Sequence, residues 1–401
     1  MPSTPDRTPP PRWAPQACRP SESRGRLYPE AESSYRSPFQ RDRDRVIHST
    51  AFRRLKHKTQ VFVYHEGDHY RTRLTHSIEV AQIARTLARG LGLDEDLAEV
   101  VALAHDLGHT PFGHTGEDAL QEAMAGHGGF DHNAQTLRIL TRLEQRYAAF
   151  DGLNLTWETL EGVVKHNGPL VGPARTRDKP LPAAIVEYAA VQDLGLSTWP
   201  GLEAQVAALS DDIAYNSHDI DDGLRAGLFG VDDLRGVPLV GEVVAEVEAL
   251  HGRLPLSRCI GETMRRMIDR MVSDLLDTTR ARLESAAIGS PDDVRNAGRA
   301  TACFSADMDA SMRGLRTFLH ARMYRHERIN RARVHAARVV KELFAHFLAE
   351  PARLPGEWGA RAGAASDAET ARLVADYIAG MTDKFALEEH ARLCGPDAMP
   401  R

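Results

Sequence analysis

Apolar positions recur along most of this chain at the spacing of an α-helix. In the clearest stretch, every third or fourth residue falls on one face, which carries His76, Val80, Ile83 and Leu87. This spacing indicates a helix with one buried side. Gly90 and Gly92 predict its end, and Asp94 predicts the N-cap of a second helix.

The same period predicts helices over most of the remaining chain. The expected segments are 76–89, 94–107, 131–148, 156–166, 201–228, 238–251, 258–288, 304–321, 330–350 and 366–392. Only Thr59–Tyr64 has the β-branched and aromatic residues of a short strand. Residues 356–368 are rich in Gly and Ala and predict a loop. We therefore expect a nearly all-α fold with one large core and additional peripheral helices.

Composition and length suggest three regions. Residues 1–35 are rich in Pro, Ser and Arg without an apolar period, which predicts a flexible N-terminal arm. Residues 36–230 are expected to form the helical core. Residues 231–401 are expected to form a C-terminal helical region that packs on it.

The composition is that of a soluble globular protein, with 42% hydrophobic and 26% charged residues. No apolar run approaches the ~18 residues of a membrane-spanning helix, and the N-terminus lacks the apolar segment of a signal peptide. The cysteines are scattered without a CxxC pair: Cys18, Cys259, Cys303 and Cys394. We therefore expect a cytoplasmic protein with neither a disulfide framework nor a cysteine zinc site.

Charge is distributed unevenly along the chain. The net charge is −6, yet residues 36–73 contain ten Arg and Lys against four Asp and Glu. A basic stretch in an acidic protein suits an anionic ligand bound at one place. A solvated surface with clustered charge is the plainer interpretation of the same stretch.

The first candidate for chemistry is His76 together with the adjacent pair His105 and Asp106. His76 lies on the buried face of its predicted helix, and the pair ends the next helix. Imidazole and carboxylate ligands suit divalent ions such as Mn, Fe, Co, Ni, Zn or Mg. A single inward histidine is more often a satisfied core residue, but three such residues favour a metal site.

The segment HDLGHTPFGHTG at 105–116 places His109 and His114 in a Gly- and Pro-rich turn, with Glu117 directly after it. Histidine can donate to phosphate oxygens or protonate a leaving oxygen near neutral pH. A surface loop with incidental histidines is the alternative. The rigid backbone favours the functional interpretation.

The segment LSDDIAYNSHDIDDGL at 209–224 predicts a two-sided helix. One arc of about 100° carries Asp211, Tyr215, His218, Asp219 and Asp222. The apolar residues lie on the opposite side. Like charges this close repel unless a cation or hydrogen-bond donors compensate, although a solvated acidic face is an equally ordinary outcome. Beside a site that lacks a last ligand, Asp211 is the natural fourth one.

Two further features are weaker. His132 starts a predicted helix, whose free N–H groups favour anions, but a plain cap explains it equally well. A later stretch carries cationic and phenolic side chains at helical spacing: Arg316, His320 and Tyr324. Such a stripe suits phosphate and sugar contacts, although exposed arginines are common on helices.

From about Trp13 to Leu393, the sequence resembles the deoxyguanosinetriphosphate triphosphohydrolase-like family of the HD superfamily. The resemblance is carried by RDRDRVIHSTAFRRLKHKTQVF (41–62), RTRLTHSIEVAQIAR (71–85), HDLGHTPFGHTGE (105–117), FDHNAQ (130–135) and DDIAYNSHDIDD (211–222). An isolated His-Asp pair is weak evidence, but these blocks in this order are specific. The resemblance implies an HD-domain helical fold, with metal ligands His76, His105, Asp106 and Asp211. Asp211 is preferred because the family's ligand lies four residues before the tyrosine at position 215.

The resemblance also implies the remaining roles in the site. His114 would donate a proton at the α-phosphate with Glu117 as its acidic partner. His132 would join this catalytic group and, with His109, contact phosphates. Gln60 and Asp219 would hold the deoxyribose 3′-hydroxyl, and Tyr215 would pack under the sugar. The other phosphate- and sugar-side positions would be Arg73, Arg316, His320 and Tyr324.

The activity implied is metal-dependent hydrolysis of deoxynucleoside triphosphates to a deoxynucleoside and triphosphate, with Mg²⁺ carried by the nucleotide. Family members are commonly oligomeric, often hexameric, and some respond to a second nucleotide or to single-stranded DNA, so the resemblance implies a homo-oligomer such as a hexamer. The residues alone leave other HD-type substrates open: a nucleoside monophosphate, a cyclic nucleotide or a guanosine pyrophosphate derivative. They also leave open a dNTP-sensing nucleic-acid-binding regulator or a helical scaffold with an inactive site.

Overall fold

The computed structural model describes residues 13–60, 71–175, 180–364 and 367–395. Within these ranges the chain forms α1 Pro38–Ile47, α2 Thr50–Arg54, α3 Arg73–Leu91, α4 Glu95–Ala104, α5 Gly113–Ala123, α6 His132–Arg138, α7 Trp157–Lys165, α8 Ala183–Ala189, α9 Leu202–Arg225, α10 Val240–His251, α11 Leu256–Ser285, α12 Pro291–Asn296, α13 Ala306–Leu319, α14 Glu327–Ala349, α15 Gly356–Arg361, α16 Ala368–Ala379 and α17 Asp383–Cys394. The all-α prediction is confirmed. In the described ranges, β pairing is limited to isolated bridges.

The centre of the fold is formed by α3, α4 and α9, which pack against one another. The boundary between α3 and α4 follows the local sequence. Gly92 ends α3 in a left-handed conformation with φ 69°, and the Asp94 side chain caps α4 by accepting from the Leu97 N–H group. The apolar face of α3 is buried against these neighbours. This arrangement brings His76 on α3 and Asp211 on α9 close to the two residues that follow α4.

The hydrophobic residues form two clusters. The larger one extends in sequence from Ala17 to Ile329 and includes α3, α4, α9 and α11. The smaller one joins α5 and Phe130 to the C-terminal helices α14, α16 and α17. Much of the region after residue 230 therefore shares the first core, and only its last part builds a separate cluster against α5.

The structure corrects the predicted arm for residues 13–35. Ala17 and Cys18 are buried, and the Cys18 N–H group donates to Glu203 on α9 at 2.8 Å. Further along, Arg26 forms a buried ion pair with Asp42 on α1. The polar and Pro-rich composition of this segment did not indicate these contacts, because their partners are distant in sequence. Residues 1–12 lie outside the described ranges.

Several predicted boundaries also change. The predicted helix 366–392 is divided because α16 ends at Ala379 and the Thr382 side chain caps a new helix, α17. The predicted loop 356–368 contains the short helix α15. Thr59, in the predicted strand Thr59–Tyr64, forms one isolated bridge with Thr72, while 61–64 lie outside the described residues.

Two helices end in a wider turn. α6 continues as a π-helical turn over Ile139–Leu143, and α13 continues as one over His320–Tyr324. Such turns occur frequently at functional sites. The second one carries two of the residues predicted to contact substrate.

None of the helices in the described part of the chain is long and apolar enough to cross a membrane.

Candidate metal centre and active site

Four polar side chains converge where α3, α4 and α9 meet. His76 lies on α3, and His105 and Asp106 follow α4 directly. Their ligand atoms lie within 4.8 Å of one another. On α9, Asp211 Oδ1 lies 2.9 Å from His76 Nε2 and 3.7 Å from His105 Nε2. The structure thus brings together all four predicted metal ligands.

Asp106 is held from two sides. Its Oδ2 atom accepts a hydrogen bond from Arg73 at 2.7 Å, and its Oδ1 atom lies 3.2 Å from His109 Nε2. Burial opposes ionisation, but Arg73, His105 and His109 hold the pKa of Asp106 well below its usual range. Asp106 is therefore a fixed carboxylate. Arg73, predicted to contact substrate, is itself buried and bound to this carboxylate.

A second group of imidazoles lies beside the first. His109 stacks on His132 with ring centroids 4.1 Å apart, and His114 lies edge-on to His109 at 4.9 Å. Glu117 links them, because its Oε1 atom lies 2.7 Å from His132 Nδ1 and its Oε2 atom 3.3 Å from His114 Nδ1. Burial opposes ionisation of Glu117, but hydrogen bonds with His114 and His132 lower its pKa below the usual range.

The turn before α5 sets the direction of these side chains. Phe112 and Gly113 both adopt left-handed backbone conformations, with φ 63° and 58°. A Cβ atom at Gly113 would lie 2.9 Å from Arg73 Nη2, so a larger residue would displace that guanidinium. The predicted rigid turn ends here, and α5 then carries His114 and Glu117 on one side.

Both groups line one cavity of about 650 Å³, a volume typical of small-molecule sites. Predicted site residues that line it are Gln60, Arg73, His76, His105, Asp106, His109, His114, His132, Asp211, Tyr215, His320 and Tyr324. The Tyr215 and Tyr324 rings lie nearly parallel, with centroids 6.2 Å apart. The cavity therefore joins ionic and imidazole groups to a pair of aromatic rings.

Three predicted residues lie outside the lining of this cavity. Glu117 lies behind His114 and His132, which it positions. Asp219 is buried and accepts a hydrogen bond from the Tyr324 hydroxyl. Exposed Arg316 pairs with Asp212 at 2.9 Å. Asp219 and Arg316 are thus each engaged by a protein partner, and their substrate contacts stay a prediction.

The cavity also contains residues that the sequence reasoning missed. His166 follows α7 and donates from Nδ1 to the Val163 carbonyl at 2.8 Å. Burial lowers the pKa of His166 to about 4, so the ring is neutral at pH 7. Arg333 on α14 also lines the cavity and donates to the Tyr324 carbonyl at 3.3 Å. The several arginines at the start of α14 were a weak signal that Arg333 could bind an anion. His166 had no such signal, because it is a single histidine outside any motif.

Few of the positively charged residues in the basic stretch 36–73 face the cavity. Among its described cations, only Arg73 lines the cavity. Arg43 pairs with Asp96 and Glu99, and Arg45 pairs with Glu30. Most of this positive charge is therefore compensated within the fold.

Comparison with known proteins agrees with this architecture. The HD domain model matches residues 73–215, and the phosphohydrolase-associated domain model matches residues 302–392. A deoxyguanosinetriphosphate triphosphohydrolase-like protein of Parvibaculum lavamentivorans is 61% identical over 380 residues, which cover 95% of this chain and 96% of that protein. Proteins with the same description from a Caulobacter species and Azorhizobium caulinodans are 58% and 60% identical, covering 95% and 94% of this chain and 96% and 95% of their own lengths.

The chain belongs to the deoxyguanosinetriphosphate triphosphohydrolase-like family. The resemblance inferred from the sequence blocks is confirmed, and the HD domain supports an HD-type phosphohydrolase. In this family member, the HD model covers α3, α4 and α9 up to Tyr215, which includes all four candidate ligands.

The donor set of this family member fits a divalent metal ion. His105 Nδ1 donates to the Ala102 carbonyl at 2.6 Å, which leaves the Nε2 lone pair directed at the cluster. That buried Nε2 atom has no hydrogen-bond partner among the described residues. Burial opposes ionisation of Asp211, but His105 and His76 lower its pKa to about 2. Two imidazoles and two carboxylates are ligands that divalent transition metals accept.

Proposed function

We propose that this protein hydrolyses deoxynucleoside triphosphates to a deoxynucleoside and intact triphosphate. The observation that carries the proposal is a single cavity with a four-ligand cluster, an adjacent imidazole group and a facing pair of tyrosine rings. The negatively charged phosphate chain of a nucleotide could interact with a metal ion held by the cluster and with the imidazole group. The nucleoside part could pack against the two tyrosine rings.

His76, His105, Asp106 and Asp211 would hold the metal ion. When bound, a divalent ion supplies Lewis-acid chemistry, neutralising charge on the α-phosphate. Arg73 and His109 keep the Asp106 carboxylate in place through contacts of 2.7 and 3.2 Å. Because both partners are buried, the carboxylate can be fixed before substrate arrives.

The reaction proposed is attack of water on the α-phosphorus, with cleavage of the bond between that phosphorus and the nucleoside 5′-oxygen. His114 protonates the leaving 5′-oxygen, and Glu117 orients the His114 ring from 3.3 Å. His132, held by the other oxygen of Glu117, would bind a phosphate oxygen with His109. The proton lost by the attacking water balances the one gained by the deoxynucleoside.

The sugar would lie against Tyr215 and Tyr324. A ring packed under C2′ leaves no partner for a 2′-hydroxyl, and an unpaired buried hydroxyl costs about 1–3 kcal/mol. We therefore propose a preference for deoxyribose. Gln60, His320 and Arg333 line the same cavity and are available to the sugar and the outer phosphates.

Turnover of the four dNTPs and GTP, with Mg²⁺ and Mn²⁺ each added, tests the proposal. Triphosphate and a deoxynucleoside are the expected products, and His76→Ala should abolish their formation. Release of pyrophosphate or orthophosphate would indicate another HD-type reaction. Tight dNTP binding without turnover under any of these metals would favour the sensing regulator.

A further inference from the structure

His76 makes a second contact on the side of its ring that faces away from the cluster. Its Nδ1 atom lies 3.3 Å from Nδ1 of His218, which is on α9. The two rings are nearly perpendicular, with centroids 5.5 Å apart. Both side chains are buried. His218 therefore contacts a candidate ligand without being in the cluster itself.

His218 has a carboxylate on its other side. Its Nε2 atom lies 2.8 Å from Glu79 Oε2. Glu79 is one turn beyond His76 on α3, so the three side chains form a closed connection between α3 and α9. Arg71 fixes Glu79 at 3.1 Å and also binds Asp221 and Asp222, each at 2.8 Å.

The chemistry of these groups determines where the protons lie when His76 binds a metal. An ionised carboxylate only accepts, so His218 Nε2 carries a proton and donates it to Glu79. In a neutral ring the other nitrogen is then an acceptor. His218 Nδ1 accepts from His76 Nδ1–H, which leaves the lone pair on His76 Nε2, the atom that faces Asp211.

The two candidate imidazole ligands are oriented by different means. His105 uses the Ala102 carbonyl of its own helix. For His76, the corresponding Nδ1 contact is made by a side chain on another helix. Metal-bound histidines almost always donate their second N–H to such a partner, and loss of the partner typically costs about 10–100-fold in metal affinity or activity.

We propose that His218 and Glu79 form a hydrogen-bonded relay that positions His76, presenting its Nε2 lone pair to the metal. This inference rests on the proposed metal centre. His218 is a positioning residue, because it acts through His76 and does not line the cavity. The relay makes metal affinity depend on the contact between α3 and α9.

The test is the dissociation constant of Mn²⁺ in the full-length protein, together with the visible spectrum of the Co²⁺-loaded protein. His218→Leu removes the acceptor and should weaken Mn²⁺ binding by about 10–100-fold and change the Co²⁺ spectrum. His218→Gln keeps an oxygen that can accept from His76 Nδ1–H and should recover much of the affinity. Glu79→Ala tests the same relay from a half-exposed position and should weaken binding in the same direction.

Ile220→Val is the matched control, because Ile220 is buried on the same helix and the change removes only one methyl group from the core. It should leave Mn²⁺ affinity unchanged. Unchanged affinity and Co²⁺ spectrum in His218→Leu would overturn the relay. If that variant does not fold, wild-type Mn²⁺ affinity and Co²⁺ spectrum in Glu79→Ala would overturn it instead.

His76→Ala separates failure of the relay from failure of the proposed function. Loss of Mn²⁺ binding in His76→Ala, with wild-type binding in the relay variants, would overturn only the relay. Wild-type Mn²⁺ binding in His76→Ala would remove the metal centre on which both proposals rest.

Discussion

His114 combines exposure with an acidic partner at the end of the imidazole group. Its side chain is 70% exposed, and its Nδ1 atom lies 3.3 Å from Glu117. It is outside the four-ligand cluster, so its loss should affect proton transfer much more than metal binding. We expect His114→Ala to lower kcat by about 10²–10⁴-fold with little change in Mn²⁺ affinity.

The control for that variant is His127→Ala, because His127 lies beyond α5 and does not line the cavity. It should retain wild-type turnover. Near-wild-type kcat in His114→Ala at saturating nucleotide would remove His114 from the proposed mechanism.

Tyr215 tests sugar selection. It lies one helical turn beyond Asp211 on α9 and lines the cavity opposite Tyr324. We expect Tyr215→Ala to reduce the ratio of kcat/KM for dGTP to that for GTP by about 5- to 150-fold, the equivalent of 1–3 kcal/mol for an unpaired hydroxyl. Tyr215→Phe keeps the ring and should keep most of the ratio. Equal wild-type rates for dGTP and GTP would refute the assignment.

Residue types predicted the ligand cluster because each ligand had a local signal. His76 lies on an apolar helical face, and Asp211 lies on a polar one. The partners of these groups had no such signal. His218 was part of the polar face, but its contact with Glu79 depends on how α9 packs on α3. The protein partners of Asp219 and Arg316 had no local signal for the same reason, because they are not adjacent in sequence.

At the scale of elements, the start of α17 supports the turn that carries the histidines. Asp383 accepts from the Phe112 N–H group through Oδ1 and from the Thr59 N–H group through Oδ2, each at 2.9 Å. Nearby, the buried Lys58 ammonium donates to the His109 carbonyl at 2.6 Å and the Ala379 carbonyl at 2.8 Å. The C-terminal helices thus hold both sides of the turn.

We expect Asp383→Asn to destabilise the protein by about 1–3 kcal/mol. The asparagine NH₂ group cannot accept a hydrogen bond, so one of the two backbone N–H groups that the carboxylate satisfies would lose its acceptor. Turnover should fall as well, since Phe112 precedes the helix that carries His114. Thermal unfolding and kcat measure these effects. Glu388→Gln, on the exposed side of α17, is the control and should change neither. Wild-type kcat in Asp383→Asn would show that α17 does not support the site.

A second element contact predicts how stability changes with pH. Glu203, in the first turn of α9, is buried and accepts from the Cys18 N–H group at 2.8 Å and the Asp94 N–H group at 3.4 Å. Burial raises the pKa of Glu203 to about 7. The folded protein therefore binds this proton more tightly than the unfolded chain does. Its stabilising effect is complete below about pH 4.5 and is lost as pH rises through 7.

We expect Glu203→Gln to be more stable than the wild type at pH 8, by up to about 3 kcal/mol. The amide oxygen can still accept from both N–H groups, and no charge is buried. At pH 5 the difference should fall below about 1 kcal/mol. Denaturant unfolding at both pH values measures it. An equal difference at pH 5 and pH 8 would contradict a raised Glu203 pKa.

At the scale of the whole molecule, periodicity was sufficient for the fold class but not for the division of the core. The apolar period of α3 and α9 predicts that each segment is helical, but it does not indicate which other helices pack against it. The second hydrophobic cluster forms only because Phe112 and α5 meet α14 and α16, far along the chain. Likewise, the Pro-rich segment before α1 is fixed by Cys18 and Arg26 through partners that its own composition does not indicate.

The most direct test of the central claim is hydrolysis of dGTP in H₂¹⁸O, with mass spectrometry of both products. Attack at the α-phosphorus should place one ¹⁸O atom in triphosphate and leave deoxyguanosine unlabelled. His76→Ala, incubated in parallel, should form neither product. Pyrophosphate with dGMP, orthophosphate with dGDP, or ¹⁸O in the 5′-hydroxyl of deoxyguanosine would contradict the account.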